Sequence, residues 1–273
     1  MLSLRAPKDI HVQSIRIGNV PTLILRPQNL KQNVPGVLWI HGGGYLLGMK
    51  EMVYMDRALD LVREYGAVVV SPGYRLSIQA PYPAALEDCH EVLQWMKNHY
   101  EELGIRSDQI MIGGESAGGG LCAALAILAR DRGTVNPAFM MPLYPMIDYR
   151  DTESSKDNHG KVWNTRRNHL GWNLYLRGTK EILSYASPAV VDDVSGLPPC
   201  YTFVGDGEPF YAETLTFVER LKQAGIEAAV DVYSTDTHAF DMLHPGWEIS
   251  IQARARFLEQ FEYAMNHYTA PQM

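Results

Sequence analysis

The chain has 273 residues, 46% of them apolar, which is enough for one large core that hides about three quarters of the unfolded surface. Its net charge of −7 is spread over interspersed acids and bases, which excludes the basic stripe of a nucleic-acid surface. Residues 1–9 carry no signal-peptide run and no later run approaches the ~18 apolar residues of a membrane span, so a cytoplasmic protein with no membrane partner is expected.

Taken in chain order, residues 12–17 and 21–25 read as a hairpin around Gly18-Asn19, an antiparallel start to a mixed sheet. Residues 37–40 then read as a buried strand that runs directly into His41-Gly42-Gly43-Gly44-Tyr45. A plain turn needs one or two glycines and gives no reason for three followed by an aromatic. Glycines at a strand end leave backbone N–H groups unshielded, and acyl transfer needs such donors. Attack on a carbonyl places negative charge on its oxygen, and each pre-aimed N–H is worth about 2.7–4 kcal/mol of barrier. Gly43 and Gly44 are the candidate donors, with the Ala117 N–H as a third.

Helical and apolar strand-like runs alternate from there: 55–65, 67–71, 84–100, 109–112, 118–130 and 139–144. Such alternation means parallel strands joined by crossover helices. Between 109–112 and the Ala/Leu-rich run lies Gly113-Gly114-Glu115-Ser116-Ala117-Gly118. A serine exposed on a strand-to-helix turn needs a cramped backbone, which glycines two residues to either side permit. Ser116 is therefore the candidate nucleophile, although a glycine-rich stretch can supply this spacing by chance and the three-glycine turn upstream decides the reading. Residues 149–187 interrupt the alternation with Trp163, Trp172, Tyr175, Arg166 and Arg167, and read as an irregular helical cap. Their aromatics could wall a pocket or simply glue the insertion to the core.

The pattern resumes with strand 201–204, helix 212–224, strand 229–233 and a closing helix 247–267. A serine hydroxyl needs a base, and histidine is the usual one. Of nine histidines, His238 alone follows an alternating strand through a polar loop, Ser234-Thr235-Asp236-Thr237. His90 and His99 fall on a helix as surface or half-buried residues, His159, His169, His244 and His267 have no strand before them, His11 is near the start, and His41 braces the glycine turn. The chain order serine, acid, histidine places the orienting carboxylate between residues 116 and 238. Gly205-Asp206-Gly207-Glu208-Pro209-Phe210 offers two acids after a strand, and position alone does not choose between them, since either could cap the following helix.

Other chemistries lack their residues. Gly118-Gly119-Gly120 falls inside a helix rather than in a dinucleotide-binding turn, and neither a His-Glu-x-x-His pair nor a phosphate loop with Gly-Lys-Ser/Thr occurs, so no cofactor and no metal is expected. Cys89, Cys122 and Cys200 are an odd set without Cys-x-x-Cys spacing and read as buried reduced thiols.

These motifs together resemble the hormone-sensitive-lipase-like carboxylesterase family of the α/β-hydrolase fold, over most of the chain. His41-Gly42-Gly43-Gly44 resembles the family's oxyanion string, Tyr74-Arg75-Leu76 with residues 82–88 its second signature, and Gly114–Gly118 its nucleophile turn. The resemblance implies a mostly parallel central sheet flanked by helices in one domain over 1–273, with a small helical cap at about 149–187. It implies a serine esterase acting on small, soluble esters through an acyl-enzyme, with dimers through an exposed edge strand common. The family acid is usually Asp-Pro-Leu or Asp-Pro-Phe after Val-Gly, and this chain departs from that with Glu208-Pro209-Phe210. The triad implied is Ser116, Glu208 and His238, with Asp206 as the reserve acid. An amidase or peptidase using the same triad, or a binding protein that has kept the fold, is the alternative.

Overall fold

The computed structural model describes residues 4–29, 31–180 and 184–272; Met1, Leu2 and Ser3 of the leading stretch, and 181–183 of the expected cap, lie outside the described residues. Eight strands form one sheet: β1 (Ile10–Ile17), β2 (Val20–Pro27), β3 (Val34–Ile40), β4 (Val68–Pro72), β5 (Ile105–Glu115), β6 (Met140–Leu143), β7 (Cys200–Gly205) and β8 (Ala228–Tyr233). Their order is β1-β2-β4-β3-β5-β6-β7-β8. The hairpin β1-β2 and the β2-β4 pair are antiparallel and every later pair is parallel.

The central strands read as unbroken apolar runs because both of their faces are covered. Along β3, Val37 and Trp39 join the core on one side of the sheet while Leu38 and Ile40 join that on the other, and all four are fully buried. Helices α1 (Arg57–Tyr65) and α8 (Glu248–His267) pack on the first side; α2 (Ala84–Asn98), the short α3 (Tyr100–Leu103), α4 (Ala117–Arg132) and α6 (Tyr211–Gln223) pack on the second. Helix α5 (Thr165–Tyr175) lies within segment 149–187, and the one-turn α7 (Phe240–Leu243) follows β8.

Two details differ from the sequence reading. Strand β5 runs eleven residues rather than four, so Gly113, Gly114 and Glu115 belong to the strand and Ser116 alone makes the turn. His90 is buried, with its Nε2 2.9 Å from Thr134 Oγ1, rather than at the surface or half-buried. Among the described residues, no helix is long and apolar enough to cross a membrane.

Helix α4 is buried on all sides from Ala117 to Ala129, and its glycines set how closely it approaches the sheet. A Cβ on Gly118 would lie 2.0 Å from the Ile40 carbonyl oxygen, which is backbone and cannot swing away. Gly118→Ala is expected to lower stability by about 3 kcal/mol through overpacking, read as a shift of the urea unfolding midpoint. An unchanged midpoint would mean that the helix can slide without cost.

Candidate active site

From β3 the chain crosses to β4 on one side, and it later returns through β5 on the other, so the connections leaving the C-terminal ends of β3 and β5 diverge and open a crevice there. The glycine turn leaves β3 and the serine turn leaves β5 at that point, with Ile40 paired to Gly114. Ser116 has φ 57° and ψ −120°, a strained conformation for a residue with a side chain and one of the kind that concentrates at functional sites. Its neighbours over-determine it. The Ser116 N–H donates to the Leu143 carbonyl at 3.0 Å, and the Ser116 carbonyl accepts from Gly120 N at 2.9 Å and Met146 N at 3.0 Å.

Sequence-distant side chains meet this serine. His238 Nε2 is 2.8 Å from Ser116 Oγ, and on the other side of the ring Nδ1 makes a short hydrogen bond with Glu208 Oε2. Glu208 is fully buried, and its Oε1 accepts from the Gly205 N–H at 2.8 Å. Asp206 points elsewhere: it is exposed, and its Oδ1 accepts from Thr235 N at 3.0 Å. Of the two acids, Glu208 is therefore the one on the imidazole. The rings of Tyr144 and Phe210 stand edge-on to His238, at 5.2 and 5.0 Å between centroids, and pack against the imidazole.

On the opposite side of Ser116, Gly43 (φ +118°) and Gly44 (φ +61°) hold backbone conformations that suit glycine. The Gly43 carbonyl accepts from Leu46 N and Leu47 N, while among the described residues the Gly43 and Gly44 N–H groups have no hydrogen-bond partner. Ala117 opens α4, so its N–H is also free of an intrahelical acceptor. His41 sits beneath this turn. Its Nδ1 is 2.8 Å from the Gly42 carbonyl, its ring stacks on Tyr74 at 4.2 Å, and burial pulls its pKa down to about 4, which keeps it neutral.

Trp163 and Asn158 of the insertion touch the glycine turn and the acid loop. The Trp163 ring rests on Gly44, where an added Cβ would lie 2.0 Å from Cη2, and Asn158 Nδ2 donates to the Gly207 carbonyl at 3.1 Å beside the acid. Trp172 and Tyr175 are buried and pack on Tyr45, at 5.4 and 4.1 Å between centroids. Thus Trp172 glues the segment to the core, while the half-buried Trp163 faces the glycine turn.

Several participants carry no sequence signal of their own. Glu213 is buried on α6 and accepts from Ile147 N at 2.7 Å and Asp148 N at 3.1 Å, which braces the loop that holds the serine carbonyl. Its carboxyl is raised well above the usual range, chiefly by burial. Asp241, also buried, accepts from Tyr144 Oη at 3.0 Å and lies 3.5 Å from Arg57 Nε. Glu115, beside the serine, is raised to about 8, chiefly by burial, with the Asp241 charge adding to it and donors from Gly42 and Trp39 opposing it. The three cysteines are buried and unpaired. Among the described residues, no group of histidine, cysteine or carboxylate side chains is arranged to hold a metal.

A strained serine turn, a pair of glycine N–H groups without a hydrogen-bond partner among the described residues and a mostly parallel sheet that brings them together define an α/β hydrolase. A family profile described as an alpha/beta hydrolase fold matches residues 37–242. Carboxylesterase NlhH of Mycobacterium tuberculosis (strain ATCC 25618 / H37Rv) is 28% identical over 236 residues, covering 82% of this chain and 72% of its own. The ethyl acetate hydrolase of Pseudomonas putida is 26% identical over 227 residues, covering 81% and 71%. Among solved structures, a bacterial heroin esterase superposes with a TM-score of 0.89 at 29% identity, over 97% of this chain and 86% of that one. The chain belongs to the hormone-sensitive-lipase-like carboxylesterase family of the α/β-hydrolase fold.

Proposed function

We propose that this chain is a serine carboxylesterase for small, soluble acyl esters, with Ser116, His238 and Glu208 as its triad and segment 149–187 as the cap over its crevice. The observation that carries the reading is the unbroken line from Ser116 Oγ through both nitrogens of His238 to a fully buried carboxyl group. Ser116 Oγ attacks the ester carbonyl as His238 Nε2 takes its proton. Glu208 holds the Nδ1–H tautomer and stabilises the imidazolium that forms. The oxyanion settles on the N–H groups of Gly43, Gly44 and Ala117. Collapse breaks the carbonyl–alkoxy bond, and His238 returns the proton to the leaving alcohol. Water then attacks the acyl-enzyme, with His238 again as base, to release the carboxylic acid and restore the serine.

The restriction to small substrates is supported by Trp163 lying flush on Gly44 and by a relative that acts on ethyl acetate. Turnover of p-nitrophenyl esters from acetate to palmitate is expected to peak among the shortest chains. A maximum at long chains, with a rise in rate above substrate solubility, would overturn it. Comparing a p-nitrophenyl ester with the matching p-nitroanilide separates an esterase from an amidase, since both would use the same triad. Lack of Ser116 labelling by an organophosphonate would point to a binding protein instead. Three buried, unpaired thiols suit the reducing cytoplasm, and the edge strand β8, where Val232 is half exposed, is where this reading places a second copy of the chain.

A further inference from the structure

Gly43 and Gly44 bring a problem with them: two successive glycines at positive φ have no side chains to lock them, yet donors to an oxyanion must not move during the reaction. Most tethers on their turn come from their own side of the crevice. Gly43 O is held by Leu46 and Leu47, the His41 carbonyl by Tyr74 Oη at 2.9 Å, and the Tyr45 carbonyl by Ser77. Two tethers cross to the serine side: Tyr45 Oη donates at 2.8 Å to the carbonyl of Met146, whose N–H holds the serine carbonyl, and the other ends on the residue next to the nucleophile. Glu115 immediately precedes Ser116, is 3% exposed, and accepts the Gly42 N–H on Oε1 at 3.1 Å and the Trp39 indole N–H on Oε2 at 2.7 Å. Contact there is close as well, because a Cβ on Gly42 would lie 2.9 Å from the Glu115 carbonyl oxygen and 3.2 Å from Ser116 Cβ.

We propose that Glu115 is a positioning residue for the oxyanion turn, its carboxyl group binding the Gly42 N–H so that the Gly43 and Gly44 donors keep a fixed relation to Ser116. The inference rests on the serine mechanism proposed above. A carboxyl group suits the task because the oxygen at each end can accept an N–H, the hydroxyl oxygen of the protonated form included. Glutamine presents one acceptor and one donor, and so faces either Trp39 or Gly42 with N–H against N–H. Burying a carboxyl group is costly, and burial has pushed this one up to about 8, so its retention beside the nucleophile calls for a role that an apolar side chain would not fill.

The experiment counts reactive Ser116 by titration with a p-nitrophenyl phosphonate, then measures kcat per titrated site, KM for p-nitrophenyl acetate and inhibition by a trifluoromethyl ketone, whose hemiketal places an oxyanion on the same donors. Glu115→Gln is expected to lower kcat per site about 10- to 100-fold, leave KM within about threefold, and weaken the trifluoromethyl ketone in proportion to kcat/KM. Wild-type kcat per site overturns the proposal even where fewer sites titrate, since that pattern belongs to a residue needed only for folding. A fall in kcat with unchanged ketone affinity also overturns it. If Glu115→Gln gives no folded protein, Glu115→Asp, one methylene short of its two donors, is held to the same criteria. A wild-type enzyme that titrates no Ser116 is a failure of the serine mechanism itself and is distinguishable because no variant is involved.

Discussion

Ser116→Ala is expected to reduce turnover of p-nitrophenyl acetate by about a millionfold, with KM or inhibitor affinity close to that of the parent. The size follows from how a triad works. Without Oγ the base has no proton to take, and the remaining groups only polarise the ester for a slow attack by water, so the loss is as large as removing the whole triad. Stability should change little, because alanine inherits the same φ of 57°. Ser116→Gly should instead be the more stable of the two by about 1 kcal/mol, since glycine adopts that backbone without strain. Comparing the urea midpoints of these two inactive variants measures the strain stored at the turn. Hydrolysis at the parent rate by Ser116→Ala would remove Ser116 from the mechanism.

Glu208→Ala should lower kcat by about 10,000-fold, against less than about threefold for Asp206→Ala. The two acids are separated by a single residue, but their surroundings differ. Truncating Glu208 leaves the His238 Nδ1–H and the Gly205 N–H buried without an acceptor, so the imidazole is free to take the wrong tautomer, and stability falls by about 1–3 kcal/mol. Truncating Asp206 exposes the Thr235 N–H to water, which replaces the lost bond. Expressing kcat per phosphonate-titrated site removes any effect of misfolded protein. The opposite ranking would transfer the orienting role to Asp206.

Parts of this architecture were legible in single segments. The apolar run of β3 and its three glycines, the cramped serine turn and the histidine after β8 each carry their information in adjacent residues. The extent of β5 was not legible, because Arg106, Ser107 and Asp108 look like loop residues. Polar groups of this stretch are answered from the far end of the chain: Gln109 Nε2 donates to the Met265 and Tyr268 carbonyls at 2.6 and 3.1 Å, and the Asp108 carbonyl accepts from Ala270 N at 2.8 Å. Gly113 also looked like part of a turn, whereas in the strand it leaves room for the Trp39 ring, 2.5 Å from where its Cβ would be.

By itself, then, the sequence determined the local chemistry: where strands alternate with helices, which serine sits on a strained turn, and which glycines can bare their N–H groups. Those properties depend on backbone sterics and side-chain type within a few residues. The depth at which Glu208 is buried and the link from Glu115 to Gly42 and Trp39 were decided only by the tertiary structure. These depend on which strands lie side by side, and so bring together groups 73 or 76 positions apart, on whose mutual distances adjacent residues carry no information.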